Sequence, residues 1–248
     1  MCRALASAWI TRSCAHGYHW NCLPHGTCAL SQRRKVTCDQ TAKLCRVNTN
    51  TDPTPDPASE AAALMQSRQT VLPKRLVAPG PDAAQLQALL GAAASAPDHK
   101  QLLPWRLVVI PTEARERVAQ AFSTALLQRD ASATAAQQAQ ARDKAFRAPL
   151  LILVVVDATC GDPEVNLFER MVSAGCAIQN MLLMATAQGF GSALTSGKAL
   201  TSEPLRTLFA LGAGEHAVCC ISVGTVQSRK PARCRPLPAD YVSYLPAA

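Results

Sequence analysis

The sequence predicts an α+β domain, a mixed sheet wrapped by helices, and three observations carry that expectation. The run Leu150 to Val156 (LLILVVV) is strand-sized and apolar at every position, as expected for a strand covered on both faces. Helical and strand patterns alternate after residue 60, but irregularly. No GxGxxG, GxxxxGKS/T or GxSxG motif occurs, so dinucleotide-binding, P-loop and nucleophile-elbow folds have no local support.

The elements follow in order. Ala61 to Ser67 reads as a short helix. Pro79-Gly80-Pro81-Asp82 is a turn, with Asp82 placed to cap a helix from Ala83 to Ala94 that aligns Leu86, Leu89 and Leu90. Pro97-Asp98 breaks that helix. Trp105 to Ile110 is β-rich and bounded by Pro104 and Pro111, hence a strand. Glu113 to Leu127 is helical with Val118, Phe122 and Leu126 inward, and Thr134 to Phe146 continues as a polar helix rich in Ala and Gln. After the strand Pro149 to Val156 comes a long helix, Asn166 to Gln188. Beyond Arg170 it is apolar nearly all round, which requires burial on all sides, either centrally or in a subunit interface. Gly189 is a natural helix stop. Gly191 to Thr195 reads as a short strand. Ser202 to Leu211 is a helix capped by Thr201 or Ser202, Ala217 to Val226 a buried strand, and Asp240 to Leu245 an extended tail.

Residues 1–60 are unlike the rest. They hold six of the eleven cysteines (Cys2, Cys14, Cys22, Cys28, Cys38 and Cys45), three of the five histidines and two of the three tryptophans. Asn48 to Ser59 is a polar, proline-rich linker. The expectation is a disordered Cys-rich extension followed by this linker, with the folded domain spanning 61–248. One version has translation starting nearer Val47 or Met65. The alternatives are a metal site and a disulfide framework. His19, Cys22, His25 and Cys28 recur every third residue, a spacing that crowds four ligands into one loop, unlike paired zinc-finger clusters.

Composition narrows the function classes. In 248 residues, 48% are hydrophobic and 17% charged, a globular balance. The net charge of +8 is spread thinly, the densest run being Arg33-Arg34-Lys35, so a solvated basic surface is expected rather than a nucleic-acid interface. A basic balance also suits a phosphorylated cofactor. No apolar stretch approaches the ~18 residues of a membrane span. The start has too short an apolar run for a signal peptide, so the expectation is a cytoplasmic protein. Cys176 and the Cys219-Cys220 pair lie in apolar contexts and read as buried structural thiols, and no metal site is expected in the folded part.

Two segments stand out together: Ala96-Pro97-Asp98-His99-Lys100 running into Gln101-Leu102-Leu103-Pro104-Trp105-Arg106, and Ser173-Ala174-Gly175-Cys176-Ala177 leading to Ala187-Gln188-Gly189-Phe190-Gly191. With Arg68-Gln69-Thr70 and Pro79-Gly80-Pro81, they resemble the nitroreductase family of FMN flavoproteins, in particular its small single-domain bacterial NAD(P)H subgroup. The resemblance covers Ala61 to Leu245. It implies a nitroreductase-like α+β homodimer with a long central interface helix and FMN at the interface. It implies ping-pong transfer of hydride from NAD(P)H to small-molecule acceptors of the nitroaromatic or quinone kind. Because the flavin carries the chemistry, no catalytic side chain is named.

The resemblance also implies cofactor-binding positions. Arg68, Gln69 and Thr70 stand where the family has Arg-Arg-Ser, Ser95 where the subgroup has an arginine, and Leu194, Thr195 and Ser196 where it has Trp-Arg-Ser. His99 matches a position near the flavin contributed across the dimer. Ala185, Thr186, Ala187, Gln188 and Gly189 fall on the nicotinamide segment, although the residues themselves read as a helix end. Three arginines of the pattern are thus replaced, with Lys74, Arg75, Lys198 and Arg229 as candidates for the missing charge. The alternative is a flavin- or nucleotide-binding protein with little turnover.

Overall fold

Strand β3 (Leu150–Asp157) sorts its side chains to two faces and so organises the fold. Leu150, Ile152 and Val154 enter one apolar cluster; Leu151, Leu153 and Val155 enter another. The period-2 alternation of a strand explains this, and it explains why an uninterrupted apolar run suits a sheet covered on both sides. The neighbouring strand β5 (Glu215–Val226) repeats the arrangement, with Cys219 and Ile221 on one face and Cys220 on the other. This computed structural model describes residues 56–231 and 234–247. The expected disordered extension at 1–60 lies outside the described residues up to residue 55.

Helix α1 (Pro57–Ser67) opens at Pro57 rather than Ala61. Asp56 accepts from the Ala58 and Ser59 N–H groups and proline occupies the first turn, where it loses no helical bond. The remaining elements are β1 (Leu76–Val77), α2 (Ala83–Ala93), β2 (Trp105–Val109), α3 (Arg115–Arg129), α4 (Ala135–Asp143), α5 (Leu167–Ala187), β4 (Gly191–Thr195) and α6 (Glu203–Leu208). The Asp82–Gln85 and Thr134–Gln137 capping boxes start α2 and α4, and Asn166 caps α5. Three expectations shift. Helix α4 gives way to a 3-10 turn at Lys144–Phe146. Ser202 precedes α6 but donates its hydroxyl back to the Ala199 carbonyl instead of capping. The tail turns at Pro238–Asp240 rather than running extended.

The sheet runs β2-β3-β5-β4, with β1 pairing the far end of β5. Its ladders are antiparallel, and the parallel element is a bridge between Thr70 and Ser192. Helices α2 and α5 cover one face; α3 and α6 cover the other. Burial of Arg115 ties the second layer together. Its guanidinium donates to the carbonyls of Ile110, Ala145, Ala148 and Pro149, joining α3 to the entrance of β3.

Gly191 marks where β4 is squeezed. A Cβ there would meet Val226 Cγ2 at 2.6 Å, Leu76 Cδ2 at 2.9 Å and Val71 Cγ2 at 3.1 Å. Gly191→Ala should therefore cost about 1–3 kcal/mol of stability through overpacking. Urea unfolding checks this, and an unchanged midpoint would show that the three side chains yield freely.

Candidate functional site

The Thr70–Ser192 bridge brings distant segments together. Val71 N–H donates to the Ser192 carbonyl at 2.9 Å, so Arg68-Gln69-Thr70 enters beside the start of β4, and the residues that follow it, Leu72 to Lys74, run toward Thr195 and Ser196. The Arg68 N–H closes the end of α1 on the Leu64 carbonyl. Its own carbonyl accepts from Arg235 Nη2 at 2.7 Å. Arg75, Arg229 and Lys230 line a small crevice with Gln69 and Thr70. Cations therefore gather beside the segment that has lost one. At the bridge, Ser192 Oγ is buried without a hydrogen-bond partner among the described residues, a group a ligand could satisfy.

A larger cavity of about 730 Å³ shares Leu72 with this crevice. Thr195 at the end of β4, with Ser196 and Lys198 after it, borders the cavity on one side, and Lys74 borders it from the turn that follows Thr70. Arg129, Lys144 and Arg147 complete the charged rim, over an apolar floor that includes Phe122 and Leu151. Arg147 is paired with Asp143 at 2.8 Å. Lys74, Lys144 and Lys198 have no ion-pair partner among the described residues. A cleft with several unneutralised cations concentrates positive potential and draws anionic ligands. The donor set fits a phosphorylated planar cofactor: hydroxyls and amides at one border, cations around the rim, apolar surface beneath.

Of the candidates for replacement charge, Arg75 and Arg229 stand beside Gln69-Thr70, and Lys74 and Lys198 beside Thr195-Ser196. Lys144, Arg147 and Arg235 are additions that sequence reasoning missed. Nothing in their local pattern distinguishes them from surface charges; only tertiary contact does. Ser95 is exposed just after α2, with its N–H donating to the Ala92 carbonyl.

His99 lies elsewhere. Its Nδ1 meets Glu169 Oε2 at 2.7 Å, near the start of α5. Arg68 and Thr70 adjoin β4, which follows the other end of α5. Glu169 and Ala187 are separated by about 27 Å along the helix at 1.5 Å per residue. One chain therefore does not bring His99 to the Arg68–Thr70 segment.

The stretch Ala185 to Gly189 is occupied with ending α5. Ala185 is fully buried in the core, Thr186 Oγ1 donates to the Leu182 carbonyl, and Gln188 Nε2 donates to the Gln85 carbonyl on α2. Gly189 takes φ 83°, the left-handed stop that glycine adopts without strain. Burial pushes the Cys219 thiol up to about 11 and the Cys220 thiol up to about 12, so both stay protonated and unreactive at neutral pH. Among the described residues no three His, Cys, Asp or Glu side chains converge on a metal-sized space, and no helix is long and apolar enough to cross a membrane.

Comparison with known proteins places this arrangement. The profile described as "Nitroreductase family" matches residues 66–225. An Escherichia coli K12 protein named "Putative NAD(P)H nitroreductase YdjA" is 37% identical over 189 residues, 75% of this chain and 99% of that protein. A Haemophilus influenzae protein named "Putative NAD(P)H nitroreductase" is 32% identical over 187 residues, 75% of this chain and 100% of that protein. Among solved structures, a nitroreductase-like family protein from Bacillus cereus superposes with a TM-score of 0.63 at 19% identity, covering 74% of this chain and 95% of that one. A nitroreductase with bound FMN from Bacteroides fragilis gives 0.58 at 18% identity, covering 75% and 98%. At such identities the structural likeness speaks for the fold.

Proposed function

The chain belongs to the nitroreductase family, and from that premise we propose that it is a cytoplasmic, homodimeric, FMN-dependent NAD(P)H oxidoreductase. Its acceptors are small nitroaromatic or quinone-like molecules. The observation that carries this reading is the junction held by the Thr70–Ser192 bridge. It leads the Arg68–Thr70 segment directly into Leu72 to Lys74, which line a cation-rimmed cavity together with Thr195 and Ser196. The flavin, when bound, supplies the redox chemistry, taking up hydride from NAD(P)H and returning electrons to the acceptor. The chain's residues bind, orient and neutralise. Arg75, Arg229 and Arg235 hold the phosphate in place of the replaced arginines. Thr70, Thr195 and Ser196 offer hydroxyls, and the apolar floor of the cavity keeps water from the ring.

Two features of the chain support the homodimer. Helix α5 leaves Phe168 (81% exposed), Val172 (64% exposed), Gly175 and Gln179 on one outward stripe, at the spacing of a helix face. Among the described residues, helix α1 has none that is buried. Two copies of α5 crossing antiparallel would cover the stripe and bring His99 of the partner subunit to the Arg68–Thr70 end of this one. A homodimer contact of this kind resembles a core divided between two chains.

The decisive measurement is the absorbance of purified protein before and after anaerobic addition of NADPH. A band near ~450 nm that bleaches supports the reading. A band that NADPH and NADH both leave intact points instead to flavin binding without turnover, the reading favoured by the lost charges at Gln69, Ser95 and Thr195. The charge replacement has its own test. Arg229→Ala and Arg235→Ala should each weaken FMN binding to apoprotein roughly tenfold, the scale of one charge-assisted hydrogen bond. Fluorescence titration measures this, and unchanged affinity in both would remove these arginines from the phosphate site.

A further inference from the structure

His99 stands on a turn that its residues have no local reason to adopt. Lys100, Gln101 and Leu103 have φ of 58°, 52° and 47°, and none is glycine. Side-chain bonds hold the turn in place. Asp98 Oδ2 accepts from the Leu103 N–H at 2.6 Å, Lys100 Nζ reaches Asp162 Oδ2 at 2.5 Å, and His99 Nδ1 meets Glu169 Oε2 at 2.7 Å. Glu169 is itself fixed. Its Oε1 accepts from Asn166 Nδ2 at 2.9 Å, while Asn166 Oδ1 accepts from the Phe168 and Glu169 N–H groups that open α5.

This chain of bonds settles which His99 nitrogen carries the proton. The hydrogen bond with His99 holds the Glu169 carboxyl below its usual range, and the charge of Lys100 acts in the same direction. An ionised carboxylate only accepts hydrogen bonds, so Nδ1 must be the donor. In the neutral ring Nε2 is then an acceptor. No hydrogen bond to Nε2 is made among the described residues. The pair is half-exposed in the single chain and lies beside Phe168 and Val172, the open end of the α5 stripe.

We propose that Glu169, backed by Asn166, is a positioning residue. It fixes the tautomer of His99 so that Nε2 accepts a hydrogen bond from an N–H or O–H group of the flavin held by the partner subunit. The proposal rests on the dimeric flavin reading above. Flavin mononucleotide offers donors of both kinds, the ring N3–H and the ribityl hydroxyls. Glu169 touches none of them and acts only through His99.

The test uses full-length protein reconstituted with FMN and labelled with 15N-histidine. The chain has five histidines, and His99→Asn identifies the signal of His99. Long-range proton–nitrogen correlation reads the tautomer directly. Wild type should show the Nδ1–H form. E169A should move toward the Nε2–H form that free histidine prefers, and E169D should restore part of the wild-type signal. In FMN titrations of the apoproteins, E169A and H99A should each weaken binding roughly tenfold, and the double variant should lose little more than either, as for one shared interaction. An Nε2–H tautomer in wild type, an FMN affinity unchanged in E169A, or fully additive losses would each overturn the positioning role. A wild-type protein that binds no FMN would overturn the flavin reading itself, a result distinct from tight binding that ignores Glu169. Sedimentation and thermal melts of E169A separate these outcomes from misfolding.

Discussion

Arg170→Met is expected to destabilise the domain by about 3–5 kcal/mol, measured by urea unfolding, with a melting temperature lower by roughly 10 °C for a domain of this size. Arg170 is 1% exposed. Its Nε donates to the Val165 carbonyl at 2.9 Å, Nη1 to the Cys160 carbonyl at 2.6 Å and Nη2 to the Asp162 carbonyl at 2.8 Å. Those carbonyls belong to the loop between β3 and α5, which has no regular structure to satisfy them. Methionine fills much of the space but donates nothing. The carbonyls are left to share whatever water can enter, each at about 1–3 kcal/mol if none does. Arg170→Lys keeps the charge but cannot fork across three acceptors, so it should recover only part of the loss. A methionine variant within about 1 kcal/mol of wild type would show that the loop rearranges to satisfy itself. The same loop carries Asp162, the partner of Lys100. Loosening it should therefore also disturb the turn that presents His99.

The role of Arg170 was not legible in the sequence, and the reason is physical. An arginine in the first turn of a helix reads as a surface residue facing an unfavourable helix dipole. Only the folded loop supplies the acceptors that bury it. Arg115 escaped notice for the same reason. What periodicity carries was read closely. The long helix differs by a residue at each end from Leu167–Ala187, because Asn166 is its cap and Gln188 its close. The run at β3 needed both faces covered, and it has them. Strand β1 has only two residues, too short for any period to register, and exists because Leu76 and Val77 find Val226 and Thr225.

The candidate site was legible as segments but not as a place. Arg68 to Thr70 and the strand that leads into Leu194 to Ser196 meet through a single bridge, Thr70 to Ser192, which no local pattern announces. Arg235 reaches the Arg68 carbonyl across 167 positions of sequence. Its approach depends on where β5 ends. Ala185 to Gly189 shows the converse. Its resemblance to a nicotinamide segment and its chemistry as a helix end coexist in one sequence. In the folded chain, Ala185 is buried in the core, Thr186 bonds back to Leu182 within α5, and Gln188 ties the end of α5 to α2.

The second large effect should come from the outward stripe of α5. Phe168→Glu combined with Val172→Glu is expected to give a folded monomer that retains little or no flavin. Phe168 and Val172 are exposed in the single chain, so the substitutions break no intrachain packing and the monomer should still fold, with an unfolding midpoint lowered only by the loss of the dimer contact. A two-fold contact doubles every change, so the variant places four carboxylates in a desolvated interface. Each such charge costs several kcal/mol when unpaired. Even a total of about 4 kcal/mol raises the dimer dissociation constant roughly a thousandfold. Loss of flavin follows from the geometry of α5. With His99 and the Arg68–Thr70 segment at opposite ends of a helix that spans about 27 Å between Glu169 and Ala187, a monomer keeps only half of the proposed site. Sedimentation velocity and the flavin-to-protein absorbance ratio read the two consequences independently. A variant that stays dimeric would move the interface off α5. A monomer that still holds flavin as tightly as wild type would mean that one chain completes the site alone, through the cations around Arg75, Arg229 and Arg235.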